Sequence, residues 1–134
     1  MIELLTGVSL WELIKHTGAW LGNLKRANNA RQQASIDALR KVVMAARKTA
    51  VYMRQRSETG QPSHATEAEL AELWTALGFA LQDLGVDKLA KRCAIVGRQW
   101  ADPSQFEADF LVKADVGLEK MERLANAMLH ELTQ

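Results

Sequence analysis

The sequence predicts an all-α protein, an elongated antiparallel bundle of four to five helices, and three observations carry that expectation. Long stretches are filled with Ala, Leu, Glu, Lys, Arg, Gln and Met, the residues that lose least on entering a helix. Only two prolines interrupt the chain, and runs of β-branched residues are few. Apolar residues recur at alternating spacings of three and four over several long segments, the period of a helix face. With 134 residues, the chain has the length of one domain, and residues 1–134 are read as a single unit.

A first helix is expected from Ile2 or Leu10 to Leu24; Gly7 and Ser9, a plausible N-cap, set the uncertainty in its start. A second begins at Asn28 or Asn29 and reaches Ser57, a spine about 45 Å long. The segment 57–65, SETGQPSHA, collects the turn-forming residues of a loop, with His64 solvated within it. Thr66 and Glu69 have the spacing of a capping box that starts the third helix. Gly85 suits the left-handed position that ends this helix after Leu84. Asp87 is the expected cap of a short fourth helix to Trp100, and Asp102-Pro103 the start of a fifth that runs to Leu132.

Within these helices, Ile36, Leu39, Val43, Ala46, Ala50 and Met53 form an unbroken a/d seam. Leu70, Leu73, Leu77, Leu81 and Leu84 supply a second stripe. Phe110, Ala114, Gly117, Met121, Leu124 and Met128 supply a third. The centres of these stripes, Leu39, Val43, Leu73, Leu77, Met121 and Leu124, are the expected core.

The single cysteine, Cys93, excludes an internal disulfide and a cysteine-based zinc site and fits a reducing, cytoplasmic location. The apolar N-terminal stretch lacks a basic lead and a cleavage site. Glu3, Glu12 and Lys15 interrupt it, which argues against a membrane span.

Charge is strongly segregated. Residues 25–56 hold nine basic side chains against Asp37 alone, although the whole chain carries a net charge of only +1. In the heptad frame of Ile36, residues Arg40, Arg47 and Arg54 fall beside the seam. There they are expected to pair with carboxylates on the third or fifth helix, while Lys41 and Lys48 point outward. A phosphate-binding surface built on helix 25–56 is the alternative. It would use Lys41 and Lys48, joined by Lys88, Lys91, Arg92 and Arg98 of the basic fourth helix. Tyr52 is the one aromatic residue available there for base stacking.

The first helix is apolar on two sides: Leu10, Leu13, Thr17, Leu21 and Leu24 line one, and Leu4, Trp11, Gly18 and Gly22 the other. Gly18 and Gly22 make a small-xxx-small pair. The face of Trp11, Gly18 and Gly22 is the expected contact with a protein partner or a second copy. The four tryptophans, Trp11, Trp20, Trp74 and Trp100, share no spacing and are read as packing residues.

Catalytic and cofactor motifs are missing: there is no Gly-rich phosphate loop, HExxH, paired ExxH or GxSxG, and His16, His64 and His130 lie on different elements. No metal or cofactor is expected. Arg123 and His130, with six residues between them, resemble the Arg-x(4 to 6)-His element of HEPN-type ribonucleases. In that family an arginine and a histidine on a late helix act on RNA, often across a dimer. The resemblance spans eight residues. The helical wheel sets both side chains opposite the Met121, Leu124 and Met128 stripe, with Glu119 as an i, i+4 partner for Arg123, so an exposed pair is the expectation. The sequence thus favours a non-enzymatic interaction module, a subunit or adaptor of a larger protein assembly. Nucleic-acid binding comes second and an HEPN-like ribonuclease third.

Overall fold

A computed structural model describes residues 21–22, 24–105 and 117–133. Among the described residues four α-helices have both ends placed: α1 (Asn29–Thr59), α2 (His64–Asp83), α3 (Asp87–Ala101) and α4 (Leu118–Leu132), with a 3₁₀ turn at Pro103–Gln105. The fold is an all-α bundle in which α2 packs on α3, while α1 lies against both α2 and α4.

Asn28 caps α1, its side chain accepting the Arg31 N–H at 2.9 Å. The preceding helical segment ends at the expected place. Gln32 Nε2 lies 3.1–3.2 Å from the carbonyl oxygens of Leu24, Lys25 and Ala27 and answers the unpaired acceptors of that end. At the other end of α1, Gly60 takes φ +67° and returns its N–H to Arg56 O, a left-handed turn that costs glycine no Cβ clash.

The expected Thr66/Glu69 capping box does not form. Ser63 is the cap and accepts the Thr66 N–H at 3.3 Å, so α2 begins at His64, inside the segment expected to be a loop. The physical reason is a long-range bond: Tyr52 Oη accepts the Ser63 N–H at 2.8 Å and fixes Ser63 against α1. Asp87 is likewise not a cap. Gly85 takes φ +84°, and Val86 turns its N–H back to Leu81 O at 2.9 Å. The turn closing α2 thus delivers Val86 as the N-cap, and α3 starts with Asp87 in its first turn, where a negative charge suits the helix dipole.

Two antiparallel registers are pinned by polar contacts. Trp74 Nε1 donates to Thr49 Oγ1 at 2.9 Å and Arg31 Nη2 to Leu84 O at 2.9 Å, which aligns α1 against α2. Arg47 meets Glu122 at 2.7 Å, which aligns α1 against α4, and Lys25, in the segment before α1, meets Glu131 near the end of α4 at 3.9 Å. Of the expected core, Leu39, Val43, Leu77, Met121 and Leu124 are buried, whereas Leu73 is only partly buried.

The α1 seam differs from the expected one at its C-terminal half. Ala50 and Met53 are exposed, and Ser35, Ala38, Val42, Ala45, Thr49 and Tyr52 take the inner positions beside Leu39, Val43 and Ala46. Ser35 and Thr49 can be buried because each hydroxyl bonds to the carbonyl four residues earlier, at 2.9 and 2.7 Å. On α2, Trp74 and Gly78 share the inner face with Leu70, Leu77 and Leu81, and Leu84 is half-buried. Trp74 and Trp100 are core residues, as expected; Trp11 and Trp20 lie outside the described residues. Helix α4 starts after Gly117, an exposed N-cap with extended backbone. The continuous fifth helix from Asp102 is therefore not present through Gly117, and Phe110 and Ala114 lie outside the described residues.

Helices α2 and α3 approach each other closely at two glycines. A Cβ added at Gly78 would lie 3.2 Å from both Ala90 O and Ala94 N, and one at Gly97 would overlap Thr75 Oγ1 and lie 2.9 Å from Thr75 N. The two backbones touch through small residues; Gly18, of the small-xxx-small pair expected on the first helix, lies outside the described residues.

Candidate interaction surface

Among the described residues the groups able to bind something are divided among three surfaces and one buried network. The network lies where α1 meets the start of α2. Glu67 is only 7% exposed. Its Oε2 accepts from Tyr52 Oη at 2.7 Å and sits 3.6 Å from Arg56 Nη1, while its Oε1 is 3.9 Å from His64 Nδ1. The first turn of α2 adds the favourable end of the helix dipole to this carboxylate. Tyr52 also meets Trp100 edge to face, with ring centroids 5.6 Å apart, and burial, with the neighbouring Glu67, pushes its phenol up from the usual value. Each polar member of the network is satisfied, so it acts as a clamp between helices. Beside it, the buried Trp100 Nε1 has no hydrogen-bond partner among the described residues.

The first surface is the outer face of α1. Met44 is 66% and Val51 55% exposed, and Arg40, Lys41, Arg47, Lys48 and Arg54 surround them, all exposed. The expected internal pairing holds for Arg47, which reaches Glu122. It does not hold for Arg40 and Arg54, which form no ion pair among the described residues. Helix α4 has no acid between Glu122 and Glu131, the stretch running alongside Arg40, so the antiparallel register leaves that arginine unanswered. Lys48, expected to be free, lies 3.4 Å from Glu69; Lys41 has no such partner among the described residues.

The second surface is α2, whose exposed residues include Glu69, Glu72, Ala76, Phe79 and Asp83, with Phe79 65% exposed. A cleft of about 350 Å³ opens between α2 and α3 beside Phe79. Gly78, Ala90 and Ala94 contribute to its lining, with Thr75, Gln82, Asp87 and Lys91 supplying the polar groups.

The third surface is the outside of α3. Lys88, Lys91, Arg92 and Arg98 fall within a sector of about 120° at 100° per residue. That sector lies opposite the buried Leu89, Ala90, Cys93, Val96, Gly97 and Trp100. Arg92 Nη1 donates to Lys88 O at 3.2 Å. The basic residues proposed for nucleic acid are thus split between α1 and α3, and the acidic face of α2, which packs against both helices, stands between them.

Of the partner face expected on the first helix, Trp11 and Gly18 lie outside the described residues. Gly22 is half-buried, and a Cβ there would meet nothing within 4 Å among the described residues. Arg123 and His130 are both exposed on α4, and Arg123 bonds Glu119 at 2.5 Å as expected for a surface i, i+4 pair. Among the described residues no group of three His, Cys, Asp or Glu side chains could hold a metal ion, and no helix is long and apolar enough to cross a membrane.

Sequence reasoning missed the exposed apolar residues, because Met44, Val51 and Phe79 resemble ordinary core positions until the seams are fixed. Their signal was present as a second, outward stripe at the same three-four spacing. Comparison with protein-family models, with curated proteins and with solved structures finds no match for this chain.

Proposed function

We propose that this protein is a non-enzymatic, cytoplasmic helical interaction module, a subunit or adaptor that presents helix faces to another protein chain. The observation that carries this reading is the outer face of α1, where Met44 and Val51 stand more than half exposed among cations that the fold leaves partly unpaired. Large apolar side chains next to unneutralised charge favour a partner able to cover both, at about 25 cal/mol per Å² of apolar surface removed from water. Trp11, Gly18 and Gly22, which the helical spacing of the sequence groups together, offer a second candidate contact.

Nucleic-acid binding remains the second reading, supported by Arg40, Lys41 and Arg54, which form no ion pair among the described residues, and by the basic outside of α3. The acidic α2 between the two stripes opposes a continuous phosphate track. An HEPN-like ribonuclease is the third reading, carried only by the spacing of Arg123 and His130.

A photo-crosslinking amino acid at position 44, with a second at position 18, tests the proposal in cells. A defined protein adduct at near-stoichiometric yield, a second copy of the chain included, is the expected result. Adducts to nucleic acid alone, or none at either position, overturn it.

A further inference from the structure

We propose that the outer faces of α1 and α2 together form a self-complementary dimer interface. The basic stripe of α1 in one copy lies along the acidic stripe of α2 in a second copy, and the reverse. This rests on reading the protein as an interaction module, and it names the partner as another copy of the same chain.

On α1 the outward residues Arg40, Met44, Arg47, Val51 and Arg54 are spaced alternately by four and three, the repeat by which one helix presents a seam to another. On α2 the outward residues Glu69, Glu72, Ala76, Phe79 and Asp83 follow the same alternation. Each stripe mixes charge of one sign with exposed apolar groups: Met44 and Val51 on the first, Phe79 on the second. Arg40 and Arg54 on one side, and Glu72 and Asp83 on the other, form no ion pair among the described residues.

The two stripes belong to neighbouring antiparallel helices, joined across their boundary by Lys48 and Glu69. A two-fold axis running along this hairpin therefore sets each α1 antiparallel on the partner's α2. That is an isologous contact, in which the same patch is used twice. The stripe from Arg40 to Arg54 is about 21 Å long at 1.5 Å per residue. A purely acidic partner would leave Glu72, Asp83 and Phe79 uncovered and would repel α2, and a nucleic acid would do the same. A second copy covers both stripes at once with opposite charge.

The test uses the full chain, the double variant Arg40→Glu/Arg54→Glu and the double variant Glu72→Lys/Asp83→Lys, each checked for helicity and cooperative melting. Sedimentation is measured in low salt for each protein alone and for the two variants mixed. Wild type is expected to dimerise, with at least a tenfold weaker association in 1 M salt. Each variant alone is expected to be monomeric, because its two replaced residues then meet charge of their own sign on the partner's stripe, while the equimolar mixture forms a heterodimer.

A wild type that stays monomeric at 100 μM overturns the proposal, as do variants that dimerise like wild type or a mixture that stays monomeric. The salt response of the wild type needs no variant to fold. If the wild type is monomeric yet position 44 still crosslinks to a different protein, the dimer is overturned and the interaction-module reading stands.

Discussion

Replacing Gly97 by alanine opposes two effects of known sign. Within a helix, alanine is favoured over glycine by about 1 kcal/mol, and Gly97 sits inside α3, so local propensity predicts stabilisation. The new Cβ, however, overlaps Thr75 Oγ1 and lies 2.9 Å from Thr75 N and 3.2 Å from Ala71 O. The hydroxyl can rotate away, but the two backbone atoms retreat only if α2 and α3 separate. Separation loosens Leu77, Leu81, Leu89 and Cys93, all buried in the shared core. Overpacking of this kind typically costs about 1–3 kcal/mol and more when backbone must move.

The net expectation is a loss of about 2 kcal/mol, which for a chain of this size lowers Tm by roughly 6–10 °C. Urea and thermal melts followed by far-ultraviolet circular dichroism measure it. Thr75→Ala in the same chain should restore only part of the loss, because the Thr75 N and Ala71 O overlaps remain. Gly22→Ala, whose Cβ meets nothing, should show the opposite sign. Stability of Gly97→Ala equal to or above wild type would refute the close approach of α2 and α3.

Thr49→Val leaves the buried Trp74 N–H without its acceptor and should cost about 1–3 kcal/mol, with a shifted Trp emission spectrum as a second readout. Tyr52→Phe strands both the Ser63 N–H and the Glu67 carboxylate and should cost a similar amount, about 1–3 kcal/mol, seen as a lower urea midpoint. Burial pushes the Cys93 thiol from 9.0 up to about 12. Its neutral form therefore supports the fold fully below pH 9, and stability falls as the pH rises from 9 through 12, where only the unfolded thiol ionises. Cys93→Ala should flatten part of that decline in urea melts taken across this range, and thiol reagents should label the native protein only at its opening rate. RNA hydrolysis, if a preparation shows it, should persist in His130→Ala, since the exposed Arg123 and His130 form no desolvated site for proton transfer; loss of activity with the fold intact refutes this.

The fold class and most of the core were legible because period and propensity agreed over long segments, as at Leu39, Leu77, Met121 and Leu124. The phase of the α1 seam was harder to read. Ser35 and Thr49 look polar in sequence, and only their bonds to Arg31 O and Ala45 O explain how they enter the core. Helix starts were missed by up to three residues where a distant group decided them, as Tyr52 does for Ser63. The charge segregation was plain, but whether Arg40, Arg47 and Arg54 find partners depends on the α1 and α4 register, which no local pattern encodes. The exposed Met44, Val51 and Phe79 could be told from core residues only after that register was known.

The order in which the helices can assemble follows from which contacts are near in the chain. Helices α2 and α3 are joined by the three-residue turn Leu84 to Val86, so their pairing closes a short loop at small entropic cost. The pairing of α1 with α4 spans the chain, with Arg47 and Glu122 separated by 75 positions. The α2–α3 hairpin is thus the natural nucleus, and the docking of α4 is the late step that seals it. Under native conditions the same inequality runs in reverse: amides of α4 are expected to exchange with solvent through partial opening, and those beside Gly78 and Gly97 only when the whole molecule unfolds.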